Sequence, residues 1–137
     1  MRGSPLGRRT ALLLELDATV APPGVAPDPV ARVLGRGTAP LPLLLAALER
    51  AGGDAQVAGL LVKVGGAGWP LARAQELADA LRRFRRRSGA PVVAWAETFG
   101  EFAGASVAYY LATGCDEIWL QPSGDLGLTG VAVEATF

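Results

Sequence analysis

VAGLLVKVGGAGWPLARAQELADALRRFRRRSGAPVVAWA, residues 57–96, decides the fold. Val57 to Val64 is a continuous apolar run interrupted only by Lys63, the pattern of a strand buried on both faces of a parallel sheet. Gly65-Gly66-Ala67-Gly68-Trp69-Pro70 follows as a glycine-rich turn, and Leu71 to Ser88 then has the helical period. Leu71, Ala74, Leu77, Ala78, Leu81 and Phe84 share one face, and Gly89 stands just past the end as a stop. Pro91 to Ala96 is the next strand. Strand, helix and strand at these lengths make a β-α-β unit with parallel strands.

Outward from this unit, Ala11 to Asp17 reads as a first buried strand. A connector rich in Pro, Gly and Ala (18–40) separates it from a helix at Leu41 to Ala51. Leu44, Leu45 and Leu48 line one face of that helix, Thr38 is a candidate cap, and Gly52-Gly53 is its stop. On the other side, Glu97 to Ala103 is a loop, Val107 to Thr113 a short helix, and Asp116 to Gln121 a strand in which Ile118 and Leu120 alternate with Trp119. Pro122 to Gly130 is a glycine-punctuated tail. The expected fold class is α/β, with an arm at residues 1–10 and one domain over 11–137.

The chain has 137 residues, half of them hydrophobic and 19% charged, enough for one core and too apolar for disorder over most of its length. Basic and acidic residues balance at 13 each, which removes the positive field of a nucleic-acid binder. No histidine is present, so a Ser-His-Asp or Cys-His arrangement cannot be built from this chain alone. A single cysteine, Cys115, without histidine excludes the usual zinc ligand set and an intrachain disulfide; neither metal nor cofactor is expected. The apolar run at Ala11–Leu14 is cut by Glu15 and Asp17, far short of the ~20 residues of a spanning helix. The expected location is cytoplasmic or, peripherally, membrane-associated.

Several residues could carry chemistry. Gly65 and Gly66 stand at the carboxyl end of a strand, where α/β sheets place ligand sites and where glycine lets N–H groups approach an anion; the same turn also serves as a tight connection. Lys63 is the only lysine and the only amine base candidate, or else a snorkelling surface lysine. Arg82, Arg83, Arg85, Arg86 and Arg87 end a helix, where positive charge complements the dipole, although an acidic partner is the alternative. Glu97 and Glu101 read as solvated loop carboxylates. Ser106, at the entry to the short helix, is either an N-cap or an exposed nucleophile. Tyr109 and Tyr110 read as core and interface aromatics.

The run YYLATGCDEIWLQPSGDLGLTG, together with LLLELD, VAGLLVKVGG and FRRRSGAPVVAWAETFGE, resembles the S49 peptidases, the signal peptide peptidase A or protease IV family, and specifically the N-terminal half of their long tandem form. The resemblance implies a ClpP/crotonase-like fold of repeated β-β-α units and an oligomer around a chamber. It implies a serine-lysine protease acting on signal peptides and small hydrophobic peptides, with lysine replacing histidine as general base. In the long form lysine and serine come from different halves; the family lysine falls beyond Phe137 and the serine in the other half. Counted back from Tyr109-Tyr110, Ser106 holds the position of the family nucleophile in Ser-Gly-Gly, with Val107 and Ala108 in place of the glycines. Gly65 and Gly66 match the segment that lines the substrate groove and supplies oxyanion contacts. The expected partners are a peptide substrate and the remainder of the polypeptide or further copies, and the isolated chain is expected to be inactive. Two rival expectations are a non-catalytic assembly domain and a crotonase-like acyl-CoA enzyme that uses the Gly65-Gly66 amides on a thioester carbonyl.

Overall fold

The structure, a computed structural model, describes residues 9–16, 40–65, 69–100 and 104–130. Four strands, β1 (Thr10–Leu16), β2 (Val57–Val64), β3 (Val92–Ala96) and β4 (Glu117–Leu120), form one sheet in that order. All three pairings are parallel. Three helices alternate with them: α1 (Leu41–Gly52), α2 (Leu71–Ser88) and α3 (Ser106–Ala112). The α/β class is thus present, and the parallel sheet with its helices is consistent with the ClpP/crotonase-like fold.

Side chains alternate across a strand, so the register sorts them into two faces. Leu16, Leu60, Val62, Val64, Val92, Ala94 and Ala96 are buried and face the helices. Against them α2 contributes Ala74, Leu77, Ala78, Ala80, Leu81 and Phe84. Leu44 and Leu48 come from α1, and Ala108, Leu111 and Ala112 from α3. Small residues on the inner side of β3 and along α2 let helix and sheet approach closely, while Phe84 fills the space beside Gly52.

Helix boundaries follow local chemistry. α2 begins after Pro70, whose extended backbone (φ −63, ψ 127) sets the entry, and ends at Gly89 in the left-handed region (φ 63). The Gly89 N–H closes the helix on the Arg85 carbonyl at 3.0 Å. Nothing lies where a Gly89 Cβ would sit, so backbone conformation alone favours glycine there. α1 runs one residue further than expected, to Gly52, and Gly53 ends it; the candidate cap Thr38 lies outside the described residues.

Two expectations are corrected. Leu71, expected on the buried face of α2, is 54% exposed and lies outside the core. More consequentially, the sheet is not buried on both faces. Leu13, Leu61, Val93, Trp95 and Trp119 lie on the side away from the helices and are absent from the core cluster and its packed rim. A run of apolar residues in one strand does not reveal whether its second face finds cover.

Candidate active site

The carboxyl ends of β3 and β4 open into two segments that close on each other. After Ala96 the chain crosses Glu97 to Gly100 and, further on, enters α3. After β4, residues 121–130 turn back as a strap. The Gln121 N–H donates to the Ala96 carbonyl at 3.0 Å, and the Phe99 N–H donates to the Asp125 carbonyl at 2.8 Å. The Gly127 N–H donates to Phe99 at 2.7 Å, and the Ala105 N–H to Gly127 at 3.0 Å. A parallel bridge, Phe99 to Leu126, extends the pairing past the strand ends. Glycine spacing in the strap follows from this closeness. A Cβ on Gly127 would lie 2.5 Å from the Gly100 carbonyl oxygen, and one on Gly124 would collide with the Glu97 carbonyl. Phe99 is buried and meets Tyr109 edge-on, at 5.4 Å between ring centroids, which anchors the loop to α3.

Ser106 is the first residue of α3, and its hydroxyl caps nothing: the N-cap position is Ala105, without a side-chain cap bond. The hydroxyl instead donates to the Thr129 carbonyl at 2.8 Å and accepts from the Thr129 N–H at 3.1 Å. Both of its hydrogen-bonding roles are therefore taken by one strap residue. A serine nucleophile needs its proton aimed at a base; here the proton is aimed at a main-chain carbonyl.

Lys63 points from the uncovered face of the sheet. Its ammonium stands 3.1 Å from Glu97 Oε1 and 5.2 Å from the centre of the Trp95 ring. Glu97, expected to be solvated, thus has a partner; Glu101 lies outside the described residues. Gly65 ends β2 and its N–H donates to the Leu16 carbonyl at 2.9 Å, while its carbonyl accepts from Trp69 Nε1 at 2.9 Å. A cavity of about 180 Å³ opens beside it, lined by Glu15, Leu16, Lys63 and Gly65. Ser106 is not among those residues. Gly66 lies outside the described residues, so of the three expected site residues the structure places Gly65 and Ser106 after adjacent strands, each engaged with its own partner.

A depression of about 630 Å³ lies at the opposite, amino-terminal edge of β3 and β4, between Arg82, Arg85, Arg86, Gly89, Pro91 and Asp116. Its charges are largely spent on the fold. Arg85 donates to the Gly114 and Cys115 carbonyls at 3.3 and 3.2 Å and pairs with Asp116, whose other oxygen accepts from the Val92 N–H at 2.8 Å. Arg82 bonds Asp79 at 2.8 Å and lies over the Tyr110 ring; hydrogen bonds to Tyr110 and then Asp79 raise its pKa further. Burial pushes the Cys115 thiol up to about 12. No group of acidic, cysteine or histidine side chains among the described residues is arranged to hold a metal ion. No helix among them is long and apolar enough to cross a membrane.

Sequence reasoning missed Thr129 and Asp125 as the strap's contact points and Asp116 as the clamp between α2 and β3. The glycines at 124 and 127, and Gly100 and Gly104 opposite them, were the available signal for close backbone approach, but nothing in the sequence said which segments meet.

An α/β sheet with a serine-led helix after β3, followed by a glycine-punctuated strap, is the setting in which the comparison with known families becomes informative. The profile of peptidase family S49 matches residues 84–137, the segment from the end of α2 to the last residue. No curated protein matches the chain.

Proposed function

We propose that this chain is the N-terminal half of a long-form S49 serine peptidase, hydrolysing peptide bonds in signal peptides or small hydrophobic peptides only when joined to a catalytic half. The observation that carries this reading is the pairing of an S49 match over residues 84–137 with a Ser106 hydroxyl closed on Thr129. A serine at the position the resemblance gives the nucleophile, with its hydroxyl turned to a main-chain carbonyl, supports a half that does not supply the nucleophile.

In the complete enzyme a serine oxygen attacks the peptide carbonyl carbon while an uncharged lysine amine takes its proton. Desolvation keeps such a lysine uncharged by penalising its ammonium form. Backbone N–H groups hold the oxyanion, the proton passes to the departing amine, and water hydrolyses the acyl-enzyme. Lys63 does not fit the role of base, since it is half-exposed and paired with Glu97. Other copies or the rest of the polypeptide complete the assembly around the peptide.

The test is turnover of fluorogenic apolar peptides. The 137-residue chain alone is expected to give none, and the same chain expressed with the coding sequence downstream of Phe137 is expected to give turnover. Turnover by the isolated chain, abolished by Ser106→Ala, would overturn the half-site reading.

A further inference from the structure

Arg82, Arg85 and Arg86 share one face of α2, and all three line the depression of about 630 Å³ at the amino-terminal edge of β3 and β4. Two of these charges are matched: Arg82 is bonded to Asp79, and Arg85 is paired with Asp116, the acidic residue of the lining. Arg86 has neither an acidic partner nor a hydrogen bond among the described residues, so one positive charge is left over. Arg85 Nε is also buried without an acceptor, so Asp116 and the carbonyls do not exhaust that guanidinium. A helix C-terminus ordinarily repels an anion. Here two of the carbonyls nearest the end are capped, Phe84 by the Ser88 hydroxyl at 2.9 Å and Arg85 by the Gly89 N–H at 3.0 Å.

The geometry of the free donors selects the ligand. Side chains four apart on a helix stand about 5–6 Å apart at Cβ, so the Arg86 fork and the Arg82 donors not taken by Asp79 and Tyr110 reach one group between them. A carboxylate is saturated by one guanidinium fork, since its two oxygens lie in the plane of that fork. A phosphate presents its oxygens in several directions and engages two forks at once. The opening is much larger than a phosphate alone and falls within the roughly 300–1,000 Å³ of small-molecule sites. Gly89 and Pro91 give it an uncharged border. We infer that this depression binds a small organic phosphate, the phosphate held by Arg86 and Arg82 and the organic part lying along Gly89 and Pro91. The site is at the opposite edge of the sheet from Ser106 and does not depend on the peptidase reading.

The amide resonances of Gly89 and Ala90, at the border of the depression, report its occupancy by NMR. The full chain is titrated with phenyl phosphate, inorganic phosphate and benzoate at constant ionic strength. Saturable shifts are expected with phenyl phosphate, weaker binding with inorganic phosphate, and about tenfold weaker binding with benzoate, which engages one fork fewer. Arg86→Gln is expected to weaken phenyl phosphate about tenfold, through loss of a charged hydrogen-bond donor. Arg87→Gln removes the same charge from a neighbour that borders a different depression, beside Gly53, and is expected to leave the affinity within about twofold. Both arginines are exposed, so both variants keep the fold. No saturation, benzoate bound as well as phenyl phosphate, or equal losses in the two variants would each overturn the proposal, the last by showing diffuse attraction to the arginine-rich helix end. Tighter binding to phosphatidylglycerol vesicles than to phenyl phosphate would also overturn it, in favour of a membrane surface.

Discussion

Replacing Ser106 by alanine removes both hydrogen bonds to Thr129, the 2.8 Å donation to its carbonyl and the 3.1 Å acceptance from its N–H. Each such bond contributes about 0.5–1.5 kcal/mol net, and these are partly exposed, so the pair is worth about 1–2 kcal/mol. The loss falls on the strap rather than the whole fold. Upstream, the Gly127 N–H to Phe99 and Ala105 N–H to Gly127 bonds remain, at 2.7 and 3.0 Å. Thr129 therefore opens locally while Gly127 stays protected. In native-state hydrogen exchange, the Thr129 amide of Ser106→Ala is expected to exchange about 5- to 30-fold faster than in the parent. The urea midpoint of the whole chain is expected to move little. Unchanged Thr129 exchange would show that the hydroxyl does not hold the strap, and the proposal that this contact keeps Ser106 from acting as a nucleophile would fail with it.

Gly127→Ala places a Cβ 2.5 Å from the Gly100 carbonyl oxygen and is expected to cost about 1–3 kcal/mol, read as a lowered urea midpoint with faster exchange at Gly127 and Ala105. Phe84→Ala empties a buried site beside Gly52 and is expected to lower stability by about 3–5 kcal/mol in the same titration. The Cys115 thiol, raised by burial from 9.0 to about 12, favours the folded state while it stays protonated. That stabilisation is complete below pH 9 and is lost as pH rises from 9 toward 12, where the unfolded chain ionises first. Stability against urea is expected to fall across that window less steeply in Cys115→Ala. A thiol reagent at pH 8 is expected to label the parent only after unfolding.

Much of the fold could be read from residues whose causes are local. Pro70 and Gly89 bracket α2 at the residues where it begins and ends, and the 3.6-residue spacing of Ala74, Leu77, Ala78, Leu81 and Phe84 names its buried face. The alternation of Ile118 and Leu120 with Trp119 likewise survives in β4, with Trp119 outward. What stayed hidden depends on distant partners. Ser106 meets a residue 23 positions away, and Lys63 meets Glu97 at a separation of 34. An apolar run such as β2 looks the same whether one face is covered or two, so the open face with Leu61 had no signature. The arginines ending α2 offered a similar ambiguity, resolved only when Asp116 and the Gly114 and Cys115 carbonyls came into place around Arg85.

The most direct test of the proposal that Ser106 is held closed on Thr129 and is not the nucleophile is covalent labelling by a fluorophosphonate with the adduct located by mass spectrometry. The account predicts no adduct on Ser106, either in the isolated chain or when it is expressed with the coding sequence beyond Phe137, and in the latter an adduct on a serine of the added half. An adduct on Ser106 in the isolated chain would contradict it.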